Sequence, residues 1–233
     1  CVKKIMFNSY GDKIMSNNIE GSFCIYQMDG HSKKSRKVPI FSLYENQDSK
    51  VSDFDLVNSD NILCTISSKQ KTIKIYDTLL PYSYGKQGCV MEYKQQKSEA
   101  WGNIVLCNQR KQVIYTFNGR TGLMAELDLR MNLNMITQHQ LSQSQEITAV
   151  CLNQANDTLI TGYKDGHVKI HSTHQYYESN ETRDMKLREK IEAFPFDFRS
   201  KKGLVQRIKI NQKNGGLFAS SQSGTLKLLR TKV

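Results

Sequence analysis

The sequence predicts an all-β fold of tandem blades, a β-propeller, from three observations. Short runs alternate apolar and polar residues with only three prolines to interrupt them, one unit occurs five times, and a glycine stands at a fixed place in four of the five copies. The 233 residues, 38% of them hydrophobic, are enough for one sizeable core.

The clearest unit spans 147–172. A strand (ITAVCL, 147–152) leads through a turn at Asn156 and Asp157 to a second strand (TLITG, 158–162). A Lys164-Asp165-Gly166 turn then opens a third (HVKIHS, 167–172). The same order returns at 205–230 as VQRIKI, LFASS and TLKLLR, and at 2–27 as VKKIMF, KIMSN and SFCIYQ. Two middle units read SDFDLV, NILCTIS, TIKIYD between 52 and 77 and GNIVLC, QVIYTF, GLMAELD between 102 and 128.

The residues closing the third strands, Tyr26, Tyr76, Leu127, His171 and Leu229, lie 50, 51, 44 and 58 residues apart. A four-stranded propeller blade takes about 40 to 45 residues before loop insertions. Five residues before each closing position stands Gly21, Gly122, Gly166 or Gly224, with Lys71 in the second unit. A tight hairpin with positive φ is cheap mainly for Gly, Asn or Asp. Fourth strands are expected at PIFSLY (39–44), CVMEYK (89–94) and NMITQHQ (134–140).

The units are therefore drawn at 2–44, 52–94, 102–140, 147–172 with an insertion at 173–200, and 205–233, all within one propeller domain. Ile25, Ile73 with Ile75, Met124, Val168 with Ile170, and Leu226 with Leu228 alternate along the third strands. Each such side chain gains about 1.5 to 3 kcal/mol when fully buried, so neighbouring blades must stack. About five blades are visible of an expected seven, and with Cys1 as first residue the other two are expected upstream. A β-sandwich would also alternate, but it has no reason to repeat the spacing from glycine to closing residue. The segment 178–194 departs from the pattern: Met185, Leu187 and Ile191 among strong helix formers, with Asn180 or Thr182 as cap, suggest a helical or mobile insertion.

No window holds the roughly 18 consecutive apolar residues of a spanning helix, and the start lacks a signal-peptide layout. Six scattered cysteines without a C-x-x-C pair suit a reducing, cytoplasmic compartment. A net charge of +11 favours acidic partners. Phosphate-binding glycine loops, H-E-x-x-H and Ser/His/acid constellations are missing, so the reading is non-catalytic, with no catalytic residue, cofactor or metal assigned.

The units resemble the WD-repeat family, and in particular the C-terminal propeller of the rabconnectin (DmX-like) family. Ser52-Asp53-Phe54, the run 61–67 and Ile75-Tyr76-Asp77-Thr78-Leu79-Leu80-Pro81 resemble that family's S-D-F, apolar strand and W-D-T-L-x-P closure. Ile147-Thr148-Ala149-Val150, Thr161-Gly162 and Asp165-Gly166-His167-Val168-Lys169-Ile170 resemble the next strong repeat, and 203–208 with 223–228 the last. The closing Trp-Asp survives only as Tyr76-Asp77 and, loosely, Leu127-Asp128, and no Gly-His pair precedes a blade. The family's His, Asp, Ser and Trp network is thus incomplete, which leaves packing to hold the blades. The resemblance implies a scaffold that assists assembly of the vacuolar proton ATPase, with its peripheral subunits as partners. It also implies a place at endosomal or vacuolar membranes through those partners.

The candidate partner-binding residues are Lys33, Lys34, Arg36 and Lys37 in a basic loop, and Arg199, Lys201 and Lys202 in a stretch with ten basic against four acidic residues (183–213). Trp101, the one tryptophan, is either core or an interface anchor. Without interleaved aromatic residues, these basic runs suit an acidic protein face or anionic lipid better than nucleic acid. His167, His171 and His174 cluster, yet the first two stand about 13 Å apart along a strand, too far to share a metal unaided. His171 is therefore expected to pack or hydrogen-bond. Asp77 and Asp165 are expected to accept turn N–H groups, and Asp53 is the third acid that could pass for catalytic.

Overall fold

The computed structural model describes residues 1–28, 39–43, 50–57, 60–80, 82–83, 86–94, 102–143, 145–154, 157–172, 204–211, 216–222, 224 and 226–230. Every regular element among them is a strand, as expected of an all-β propeller. The expected insertion at 178–194 lies outside the described residues.

The strands pair in antiparallel sheets. The first sheet runs β1 (Val2–Phe7), β2 (Lys13–Asn18), β3 (Phe23–Gln27) and β4 (Phe41–Leu43). The second holds β5 (Asp53–Leu56), β6 (Ile62–Ser67), β7 (Thr72–Asp77) and, beyond a small ribbon of β8 (Tyr82–Ser83) with β9 (Lys86–Gln87), β10 (Cys89–Lys94). The third runs β11 (Ile104–Asn108), β12 (Val113–Asn118), β13 (Leu123–Asp128) and β14 (Asn134–Gln140). The fourth sheet comprises β15 (Ile147–Asn153), β16 (Thr158–Tyr163) and β17 (Val168–Ser172); the fifth comprises β18 (Val205–Ile210), β19 (Gly216–Ser221) and β20 (Leu226–Arg230). The fourth strands at β4, β10 and β14 fall where the alternation placed them.

The glycine rule has a direct backbone cause. Gly21, Gly122, Gly166 and Gly224 have φ of +97°, +70°, +92° and +79°, and Lys71, standing in for glycine, adopts φ +56°. The left-handed turn is thus kept even where a side chain must bear it. Just before it, a side-chain acceptor closes the hairpin in several units: Asn18 Oδ1 receives the N–H groups of Gly21 and Ser22 at 2.8 and 2.9 Å, and Asn118 Oδ1 those of Arg120 and Thr121 at 3.1 and 3.2 Å.

The chain divides into two compact units, Cys1–Phe117 with Glu126–Ile136, and Asn118–Ala125 with Thr137–Val233. In the first unit one packing rule operates twice. Met15, Phe23, Ile25, Phe41 and Leu43 of the first sheet cover Phe54, Leu56, Leu63 and Tyr76 of the second. Three edge-on ring pairs tighten that layer: Phe23 with Phe54 (centroids 4.8 Å apart) and with Phe41 (6.4 Å), and Phe41 with Tyr76 (6.0 Å). The opposite face of the second sheet, Cys64, Ile66, Ile73 and Ile75, covers Val105, Cys107, Ile114 and Leu127 of the third. In the second unit Ile160 and Val168 of the fourth sheet cover Ile208, Leu217 and Ala219 of the fifth.

Cross-strand register shows these to be equivalent positions. Met15 pairs with Ile25, Cys64 with Ile75 and Ile160 with Ile170, so each covering face starts from the same rung. Each covered face starts one rung away, where Leu56 pairs with Leu63, Cys107 with Ile114 and Ile210 with Leu217. Because side chains alternate, the second sheet is covered on one face and covers its neighbour with the other.

The turn glycines differ in what surrounds them. A Cβ on Gly122 would collide with the backbone oxygen of Ser142, whereas one on Gly224 meets nothing within 4 Å. In thermal melts, Gly224→Ala is expected to cost the backbone penalty alone, about 1 to 2 kcal/mol. Gly122→Ala should cost more, about 3 kcal/mol or above, and Lys71→Gly should stabilise by up to about 1 kcal/mol by relieving the same strain.

Candidate functional site

On the inner strands of the first unit, polar side chains join the sheets. Lys4 on β1 places its ammonium 3.0 Å from Asp53 Oδ1 and 2.5 Å from the Phe54 carbonyl oxygen, 5.0 Å from the centroid of the Phe54 ring. Asp53 and Asp55, two apart on β5, then reach toward β11. Asp53 Oδ2 accepts the Val105 N–H at 3.0 Å, and Asp55 Oδ2 accepts the Cys107 N–H at 2.8 Å. Two backbone donors on an edge strand are satisfied in this way. In the second unit Thr148 Oγ1 donates to the Val205 carbonyl at 2.6 Å, the same kind of link from β15 to β18. The incomplete family network had left packing alone to hold the blades; these polar links add to it.

The electrostatics mark this cluster as a joint. Burial would lower the Lys4 pKa, but Asp53 and Asp55 outweigh it and hold the ammonium above its ordinary 10.5. Burial raises Asp55, against the pull of Lys4 and the Cys107 N–H, and burial also pushes the Cys107 thiol up, away from nucleophilic use. Every carboxylate oxygen of Asp53 and Asp55 holds a donor at 2.8 to 3.0 Å.

The other candidate side chains are held in local roles. His171 is buried, with Nε2 3.0 Å from Thr161 Oγ1, which donates to the Tyr163 hydroxyl at 3.1 Å; this is the hydrogen-bonded role expected at a closing position. His167 faces Asp165 across 2.6 Å, and Asp165 Oδ1 accepts the His167 N–H. Asp77 Oδ1 accepts the Leu79 N–H at 2.9 Å, as a strand-closing carboxylate should. His174 and the partner-binding candidates Lys33, Lys34, Arg36, Lys37, Trp101, Arg199, Lys201 and Lys202 lie outside the described residues.

One edge of the first unit gathers what sequence reading missed. Antiparallel pairing brings the β1–β2, β5–β6 and β11–β12 turns to the same edge as the ends of β7 and β13. Asp60 ties the turns together by accepting from Ser9 N–H at 2.9 Å and Ser9 Oγ at 2.6 Å. Lys13 Nζ donates to Asn61 Oδ1 at 2.7 Å, Thr78 N–H to the Asn61 carbonyl, and Leu129 N–H to the Gln112 carbonyl. On this edge Tyr10, Leu79 and Met131 are 85%, 69% and 58% exposed, beside exposed Leu80, Arg110 and Arg130. Arg130 grips Asp128 through two bonds, of 3.0 and 2.7 Å, and holds that carboxyl below its usual range. The legible signal was an apolar residue inside a polar turn, a placement that gains nothing from folding.

The WD domain, G-beta repeat family model matches residues 132–172, a span that takes in β14 and all of β15 to β17. No curated protein matches the chain. The chain therefore carries a WD40 repeat on propeller-type blades, a class that typically serves as a non-catalytic scaffold for protein partners.

The Lys4–Asp53 link should be measurable. Lys4→Met and Asp53→Asn are each expected to cost about 1 to 3 kcal/mol, and the double variant less than their sum. Since Lys4 titrates higher folded than unfolded, its contribution is whole below pH 10.5 and fades as pH rises through the folded value. Melts in alkaline buffer should show wild type losing its advantage over Lys4→Met there.

Proposed function

We propose that this protein is a non-catalytic scaffold that docks protein partners on the loop edge of its first unit. The observation that carries this is the exposed group Tyr10, Leu79, Leu80 and Met131, flanked by Arg110 and Arg130. Aromatic, Met and Arg side chains are the enriched anchors of interfaces. The turns under Tyr10 and Leu79 are braced by the Asp60 and Asn61 bonds, and that under Met131 by the Leu133 N–H to Asp128 carbonyl bond, so little order would be lost on binding.

The finer reading is a rabconnectin-like complex that regulates assembly of the vacuolar proton ATPase. On this reading the protein is cytoplasmic and reaches endosomal or vacuolar membranes through its partners. It rests on the resemblance at 52–81, 147–170 and 203–228. A WD-repeat scaffold of another large complex, ciliary, trafficking or RNA-processing, is the alternative. The net charge of +11 favours one further reading, a lipid- or nucleic-acid-binding propeller.

Affinity purification of the tagged chain should recover peripheral subunits of the proton ATPase. Recovery of tubulin or transport-complex proteins in their place would reject the finer reading. A triple change, Tyr10→Ser, Leu79→Ser and Met131→Ser, should weaken capture at least about tenfold if these are anchors. Retention on anionic liposomes or oligonucleotides that falls steeply as salt rises would favour the charge-driven reading instead.

A further inference from the structure

The two edges of the first unit differ in charge. On the edge that carries Tyr10, Leu79 and Met131, four basic side chains are balanced by Asp12, Asp60, Asp77 and Asp128 among the described residues. At the opposite strand ends lie the β2–β3 turn, the β6–β7 turn and the chain entering β5. There, among the described residues, Lys3, Lys50, Lys69 and Lys71 stand against Glu20, and Lys4 and Asp53 just inside cancel each other at 3.0 Å.

Hydrogen bonds and packing gather these lysines on one frame. Ser68 N–H donates to Ser52 Oγ at 2.9 Å, the two hydroxyls lie 2.6 Å apart, and Lys3 donates to the Ser52 carbonyl. Val51 N–H donates to the Gly21 carbonyl at 3.0 Å, and Lys50 lies so close against Gly21 that a Cβ there would collide with it. Residues 50–52 thus tie the β2–β3 turn to the β6–β7 turn. Lys71 supplies a second observation: it stands where the other four units have glycine, holds φ +56°, and is exposed. Its left-handed strain is borne with no burial in return, so what the residue adds there is an ammonium.

We propose that this edge is a docking site for an acidic protein segment, whose carboxylates pair with Lys50, Lys69 and Lys71. Charge selects the occupant, and each lysine offers a point charge that suits a single carboxylate. Nucleic acid would want a stacking platform, yet the exposed aromatic residues described in the first unit, Phe7 and Tyr10, lie toward the other edge. Four lysines less Glu20 leave this edge at +3 among its described residues, short of the clusters of about four to eight basic residues that hold a protein on anionic lipid. The site lies opposite the Tyr10 edge, so the proposed scaffold holds two partners at once and neither site needs the other.

Fluorescence anisotropy of a labelled peptide of about twelve residues, alternating Glu and Ser, tests this at about 0.1 M and about 0.5 M salt. Wild type should bind at the lower salt and release the peptide at the higher. Lys69→Glu with Lys71→Glu should weaken binding at least about tenfold. Arg207→Glu with Lys209→Glu makes the same change in net charge at exposed positions of β18 and should stay within about threefold of wild type. Lys69→Gln with Lys71→Gly removes two ammoniums and the turn strain together. It should lose the peptide while melting no lower than wild type, which rules out unfolding as the cause. The triple change at Tyr10, Leu79 and Met131 should leave peptide affinity as it is, whatever it does to partner capture. No binding by wild type at the lower salt, or equal loss from the two charge reversals, would overturn the proposal. Tighter binding to phosphatidylserine vesicles or to a single-stranded oligonucleotide, lost in the Lys69 and Lys71 variants, would overturn it in favour of that partner.

Discussion

The second sheet of this protein is apolar on both faces, and both are buried against a neighbour, which supplies the gain that orders its strands. Met15, Phe23 and Ile25 cover Phe54, Leu56 and Leu63; one step on, Cys64, Ile73 and Ile75 cover Val105, Cys107 and Ile114. At about 25 cal/mol per Å² of apolar surface, no single three- or four-stranded sheet recovers the entropy of its own ordering. The blade is thus a unit of sequence but half a unit of stability, and its register is set by the neighbour it must fit.

Two smaller devices serve that requirement. Left-handed turns at Gly21, Lys71, Gly122, Gly166 and Gly224 keep β2 and β3, and their counterparts, in a fixed register, so covering residues arrive together on one face. Lys4, Asp53, Asp55 and Thr148 then carry hydrogen bonds from one inner strand to the next, where a strand edge would otherwise expose N–H or C=O groups to a tight space. A charged group is costly to bury, but here every carboxylate oxygen has a donor, which turns a liability into a register pin.

The proposed function rests on what this packing leaves on the outside. Sheets packed against a neighbour hold their strand ends in place, and the turns at those ends are free to carry side chains that do nothing for the fold. Tyr10, Leu79 and Met131 are such residues; Asp60 and Asn61 brace the turns of the first two, and the Leu133 N–H to Asp128 carbonyl bond closes the turn of the third. Turns braced in this way lose little order on contact with a partner, which is what the proposed scaffold requires.

Sequence alone determined the repeat, because alternation and the turn glycine are local consequences of strand pleat and positive φ. The strands at 2–7, 53–56 and 158–163, the fourth strands at 89–94 and 134–140, and the local roles of Asp77, Asp165 and His171 were all legible from residues close together in the chain. Only the tertiary structure decided that Asp53 and Asp55 bridge to residues 52 positions away, and which edge collects Tyr10, Leu79 and Met131. Those facts depend on how one sheet lies against the next, a relation set by the register between blades. The spacing within one blade does not carry it.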